Sequence, residues 1–561
     1  MNAILRASSE KVRALFSRVE FWFALLVLAV YANCIPGAFV WEDEQLIVKN
    51  VFLTHWKFLP DLLTKNAVAG AGMPSNFFRP FPALTHFLDS HLWGSQAWGH
   101  HLTNLFLVLG MSLAVLKLFR SLFSPRIAGA FAALFCVHPL LSELVAYVSG
   151  RNDLLAILFL CVGLLTYSKR PWLAVLCHIL AMTSKESLAL FPVFLWIYQK
   201  MRCEKIVWLR LLPFVLISAG YMALRLTVLN FGSTLNFYQH SNIFTEHFIY
   251  RLYTYLTTLP KALALWVAPY DLHHERSWKV FVDLRLFQVW GSALLLVVTA
   301  FALWLGRRKY PKAVWGGLWF LVATLPTSNL LIPINAIFYD HWFILPGLGL
   351  VIMLADFAQP LEETKGVGRP LGRIFFITIL AALAVLTVLN NGRWATNEKL
   401  YRHILYWEPG SAKITSNYAM ALDDSGKPEA AIEYYRKAIA ISDEFPQTHH
   451  NMGMSYLKLS KFWEALAEYD QAIRMDPNFY QSWFQKGLVL AHLGQFPKAR
   501  EALEKALAIY SYEERIYLNL AAVLCQIREG KEAREVLEKG RQALPGSIRI
   551  QKFLSELSSQ P

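Results

Sequence analysis

Apolar runs, repeated along the first 391 residues, constrain this chain more than any other feature of it. Runs of spanning length lie near residues 20–40, 99–120, 127–148, 152–168, 171–184, 187–198, 208–228, 286–306, 313–332, 341–358 and 373–391. In a bilayer a backbone that is not part of a closed barrel satisfies its N–H and C=O groups only as helix, so the expected fold class is all-α and polytopic. Composition agrees: 55% of the 561 residues are hydrophobic and 17% charged, too apolar for a soluble enzyme of this length. The net charge of +14 falls in short clusters between the runs rather than along one face, which excludes nucleic acid as the expected partner and points to membrane lipid. The six cysteines show no CxxC or CxxH spacing and most sit in apolar segments, so neither a zinc site nor a disulfide framework is expected. The first run lacks a small-residue cleavage site and reads as a retained helix.

Basic clusters orient the runs. Arg6, Lys11, Arg13 and Arg18 precede the first, Arg120 and Arg126 follow the second, Lys169 and Arg170 the fourth, and Lys200, Arg202 and Lys205 the sixth. Arg307, Arg308, Lys309 and Lys312 come later, and Lys365, Arg369 and Arg373 last. With all of these on the cytoplasmic side, parity requires the apolar piece at 251–268 not to cross. The expected count is eleven spans, with 41–98 and the tail after 391 on the outer side.

From about residue 412 the texture becomes polar and Ala-rich, with small residues recurring every 34 positions. Ala419, Gly453, Gly487 and Ala521 share one phase; Ala431, Ala465, Ala499 and Ala533 a second; Ala438, Ala472, Ala506 and Gly540 a third. Small residues let paired helices approach closely, and Pro409, Pro477 and Pro545, also in phase, stop the second helix of a unit. This is the tetratricopeptide period. The expected organisation is a membrane domain over 1–391, a linker or capping helix over 392–411, and about four repeats over 412–561, whose groove suits an extended peptide.

Ionisable residues gather at the outer ends of the apolar runs. The segments are "FVWEDEQLIVKN", "FFRPFPALTHFLD", "WGHHLTNL", "HPLLSELVAYVSGRNDLL", "TSKESLALFP" and "SNLLIPINAIFYDHW". Charge at a membrane boundary is costly unless paired or functional, and convergence from distant segments is the pattern of an active site. In this order, and followed by tetratricopeptide repeats, these motifs resemble the transmembrane and tetratricopeptide repeat-containing family of protein O-mannosyltransferases and its bacterial relatives.

That resemblance implies a GT-C glycosyltransferase that takes a hexose, mannose among the choices, from a polyprenyl-phosphate-linked donor to a protein or peptide acceptor. It also implies no cofactor and no required metal. The leaving phosphate is already anionic and needs positive charge, whereas the acceptor hydroxyl must lose a proton to a general base. Asp43, on the family's second acidic position, is the first choice of base and Glu42 the next; Glu44 is read as solvated. Arg79, Arg151, Lys185, His341 and Arg225 are the candidates for donor phosphate, with Asp153, Glu186 and Asp340 beside them in the same motifs. Asp153 and Glu186 are also the alternative partners of Arg151 and Lys185. The chain departs from the family in carrying Glu42-Asp43 where Asp-Asp is usual, and in having fewer repeats than animal members. The second departure suggests a bacterial member, in the inner membrane with its repeats periplasmic. Two other readings stay open: a lipid-linked oligosaccharide ligase or polymerase, and a non-catalytic scaffold anchored in the membrane.

Overall fold

A computed structural model describes residues 19–73, 75–231, 242–334, 336–362 and 368–558. Arg6, Lys11, Arg13, Arg18 and Lys365 lie outside the described residues. Every regular element among the described residues is helical. The chain divides into two compact units, Met1–Leu400 and Tyr401–Pro561, so the boundary falls inside the segment expected to act as a linker.

Among the described residues of the first unit six helices are long and apolar enough to cross a membrane: Ala97–Leu122, Val148–Thr166, Trp208–Leu226, Phe287–Gly306, Asp340–Glu362 and Pro370–Arg393. The helices Pro125–Cys136 and Pro139–Ala146, bent by 50° at their junction, make a seventh if taken as one broken span. Among the described residues the other apolar runs form shorter helices, Val19–Cys34 and Pro171–Ser184 among them, so fewer than eleven helices reach full spanning length. Prolines and short 3-10 turns cut several apolar runs into pieces. Pro171 and Pro311 each open a helix of 14 residues, and the turn Glu186–Leu190 precedes one of only 11, Phe191–Met201. The helix Phe248–Val267, which carries Arg251, Lys261 and an internal Pro260, is not among the six.

Phe287–Gly306 and Pro370–Arg393 bury only 11% of their apolar windows in protein. Side chains such as Val297, Phe301 and Phe375 are more than half exposed, which is stable only against lipid or another apolar partner. The interior of the unit is instead built by the pairs Ala97–Leu122 with Val148–Thr166, and Pro311–Thr324 with Ile344–Ala358. Gly316 and Gly349 let the second pair touch: a Cβ on Gly316 would meet the Gly349 carbonyl at 2.6 Å.

In the second unit, first helices begin at residues 412, 446, 480 and 514 and second helices at 428, 462, 496 and 530, each series in steps of 34. The helix Ile548–Ser558 continues the first series and packs on the last pair. The alanines of all three phases are fully buried or nearly so, and a Cβ on Gly453 would lie 2.6 Å from Tyr469. The hairpin turns also keep register: Gly426, Ser460, Gly494 and Arg528, again 34 apart, all have positive φ, between 57° and 76°.

Candidate functional site

The loop after the first helix is shaped by backbone strain and one buried carboxylate. Trp41 sits at φ 56°, a conformation unfavourable for a bulky residue, and its N–H is held by Asn397 Oδ1 at 3.0 Å. Asp43 is fully buried. Its Oδ1 accepts from Ser149 N–H at 2.9 Å and from Ser149 Oγ at 2.6 Å, and its Oδ2 from the N–H groups of Val40 at 3.1 Å and Val148 at 3.4 Å. Burial pushes its carboxyl up to about 6, against these hydrogen bonds, which favour the charged form. The turn Val148–Gly150 that supplies the donors is tight. A Cβ on Gly150 would lie 2.7 Å from the Glu143 carbonyl.

Asp43 thus fastens the loop and turns its neighbour outward. Glu42 is exposed, and its charge acts on Arg79 and also on His274 and Tyr339. Glu44, half-buried, pairs with Lys49 at 2.8 Å and belongs to the loop itself.

The basic candidates separate by exposure. Arg151 is wholly enclosed: its Nη2 lies 2.6 Å from Asp89 Oδ2 and also donates to the His100 carbonyl, Nε donates to Asn104 and Nη1 to Thr85. Its expected part in holding a phosphate, and its alternative pairing with Asp153, are both replaced by this buried role. Arg225 is also enclosed, donating to the carbonyls of Leu229 and Asn76 and lying over Phe78 and Phe231, so it ties two loops together. Arg79 and Lys185 keep exposed surface, at 23% and 15% of their side chains. Arg79 Nε donates to Glu186 at 3.3 Å, and Lys185 pairs with Asp153 rather than with its neighbour Glu186. Asp153 also acts on Arg79 through charge, so the four form one network.

His274 belongs to a cluster that the sequence revealed only in part. His274 Nδ1 hydrogen-bonds Glu143 Oε1 at 2.7 Å. His341 Nδ1 stands 2.7 Å from the same oxygen but off hydrogen-bond alignment, so this buried nitrogen has no hydrogen-bond partner. Burial alone would lower the basicity of His274; the Glu143 carboxylate outweighs it and raises the pKa. Asp340 does not face this oxygen. It accepts from Arg276 Nε at 2.5 Å, Arg276 Nη2 at 3.0 Å and His273 N–H at 3.0 Å. Asp271, held below the usual carboxylate range against its own desolvation by Lys261 and Arg276, completes that set. The residues missed were Asp271, His273, His274 and Arg276. The segment "DLHHER" advertised them, since few loops between apolar helices pack five ionisable groups so closely.

Among the described residues two groups bring three metal-capable atoms within 4.8 Å of one another: Glu143, His274 and His341, and His86, Asp89 and His100. Beside the first is a small recess lined by Glu143, His274, Asp340, Asn390 and Trp394 among others.

Comparison with known proteins agrees with this architecture. Tetratricopeptide repeat models match residues 412–445, 450–514 and 490–557. "Protein O-mannosyl-transferase TMTC4" of Homo sapiens is 27% identical over 494 residues, covering 74% of this chain and 66% of the human protein. "Protein O-mannosyl-transferase F38B6.6" of Caenorhabditis elegans is 25% identical, over 79% of this chain and 65% of that one. "Protein O-mannosyl-transferase TMTC3" of Mus musculus is 24% identical, over 79% and 53%. The chain spans less than two thirds of these relatives' length. Over most of its own length it is related to the transmembrane and tetratricopeptide repeat-containing proteins.

Proposed function

We propose that the chain is an integral membrane glycosyltransferase of GT-C type. It moves a hexose, with mannose the first expectation, from a polyprenyl-phosphate donor to Ser or Thr of a protein acceptor. Its relatives named as protein O-mannosyl-transferases support the transfer and the acceptor class. The polyprenyl carrier follows from the reaction's setting: a donor used by helices that lie in lipid is best delivered by lipid.

The observation that carries the reading is the division of labour between Glu42 and Asp43. Asp43 is fully buried among protein donors, whereas Glu42 is exposed and its charge acts on both Arg79 and His274. Glu42 is therefore the general base that takes the acceptor's proton as oxygen attacks the anomeric carbon. Arg79 and Lys185 supply charge to the departing phosphate by exchanging Glu186 and Asp153 for phosphate oxygens. Asp43 positions the base and does not act on the substrate.

The repeats hold the acceptor. Their stacked helix pairs offer a groove of the kind that takes extended peptides. The proposed side for both 41–98 and the repeats is the outer side of the membrane, the periplasm if the source is bacterial, as the alternation of basic clusters between apolar runs suggests whatever the final span count. The test is transfer of mannose from polyprenyl-phosphate-mannose to a Ser/Thr peptide by the purified full chain. Transfer lost in Glu42→Gln supports the reading; no transfer by the wild type to any Ser/Thr peptide, with intact donor binding, points instead to a ligase acting on a lipid-linked glycan.

A further inference from the structure

We propose that Glu143, His274 and His341 bind a first-row divalent transition ion, for which Zn²⁺ is the representative. The family resemblance implies no required metal, and the three residues lie in segments far apart in sequence. The fold brings both imidazole Nδ1 atoms to 2.7 Å from one oxygen of Glu143. The two rings are nearly parallel, 11° apart, with centroids at 5.7 Å.

One proton explains only half of this geometry. His274 is aligned to donate to Glu143, but His341 Nδ1 is buried and unpaired in hydrogen-bond terms, although it stands at the same distance from the same oxygen. A buried polar atom left so is costly, and a bound ion is one partner that would satisfy it. An ion shared by the two nitrogens and the carboxylate would satisfy all three lone pairs.

The charges nearby favour a cation here. Arg276 and Lys261 are already taken by Asp340 and Asp271, so no ammonium or guanidinium lies within 4 Å of Glu143 among the described residues. The other cluster, His86, Asp89 and His100, fails the same comparison. There the Arg151 guanidinium, 2.6 Å from Asp89, already serves as the cation and would repel a second one. Two imidazoles and one carboxylate are a donor set suited to Zn²⁺, and three protein ligands leave a position for water or a substrate oxygen. The recess beside Glu143 and the 19% exposure of the His341 side chain give that position access.

Metal content is read without a transfer assay, so this inference stands apart from the activity proposed above. The full chain is purified in detergent without added metal or chelator, and its bound metal is measured by mass spectrometry. It is then stripped with chelator and titrated with Zn²⁺ by calorimetry. About one ion per chain, rebound after stripping, is expected; His341→Gln and Glu143→Gln should each weaken Zn²⁺ binding about 10-fold or more, while His100→Gln leaves it unchanged. Size-exclusion profiles identify variants that fail to fold, and His341→Gln, at a partly exposed position, is the variant to rely on. Absence of Zn²⁺ binding by the stripped wild type overturns the proposal. So does binding that is unchanged in a folded His341→Gln protein, or lost in His100→Gln instead.

Discussion

Asp43 and Ser149 are joined twice, Oδ1 accepting from the Ser149 N–H at 2.9 Å and from its hydroxyl at 2.6 Å, across 106 residues of sequence. That link fastens the loop after the first helix to the turn that opens the helix Val148–Thr166. It sets Glu42 outward by consuming its neighbour.

The same link predicts a difference in stability with pH. The Asp43 carboxyl is raised to about 6 in the folded protein, so folding favours the protonated form. Stability from this group is present below the unfolded value of about 4 and is lost as pH rises to about 6, a span worth about 3 kcal/mol. Asp43→Asn has no such titration. Its amide also points two hydrogens at the N–H groups of Val40 and Val148, at a cost of about 1–3 kcal/mol. Thermal unfolding in detergent should show the variant less stable at pH 4.5, flat through this window, and close to the wild type by pH 7. Parallel curves for the two proteins would remove Asp43 from the account.

His449 predicts the opposite slope in the repeat unit. Burial alone would lower its pKa, but Glu468 at 2.6 Å and Asp443 at 2.8 Å raise it. Its contribution is complete below about pH 6.5 and is lost as pH rises through the folded value. His449→Gln should lower the melting temperature of the repeat unit more at pH 6 than at pH 8.5, measured by circular dichroism; an equal drop at both pH values would show only lost packing.

Two turns of the repeats carry side chains where glycine is favoured. Ser460 at φ 57° and Arg528 at φ 65° occupy the position that Gly426 and Gly494 fill in the other two units. Left-handed backbone costs an L residue about 1–2 kcal/mol, and the entropy of glycine returns part of the gain. Ser460→Gly and Arg528→Gly should each stabilise the unit by about 0.5–1 kcal/mol in urea unfolding. A loss of stability would mean that the side chains contribute more than the strain costs.

The repeats and the membrane unit should separate by substrate. Removing 412–561 should raise the peptide concentration needed for transfer by about 10-fold or more, the scale of a lost binding groove, while polyprenyl-phosphate-mannose binds as before. Lost donor binding in a folded truncation would contradict that division.

How much of this was legible in the sequence differs between the two units. The repeats were readable because a 34-residue period restates the same packing demand in each unit: a small residue wherever helices touch, as at Gly453 against Tyr469. The site was readable as a gathering of charged segments but not in its pairings. Neighbouring residues on a helix or turn do not face one another. Arg151 found Asp89 rather than Asp153, Lys185 found Asp153 rather than Glu186, and Glu186 found Arg79. The choice between Glu42 and Asp43 was hidden for the same reason. Their order along the chain says nothing about which carboxylate the Val148–Gly150 turn will enclose.

The most direct test of the account is mannose transfer by Glu42→Gln, with donor binding and thermal stability measured on the same preparation. Losing a general base costs about 10²–10⁴-fold in rate. A loss of that size is expected in a Glu42→Gln protein that folds and binds polyprenyl-phosphate-mannose like the wild type. A folded Glu42→Gln protein that transfers mannose at the wild-type rate would contradict it.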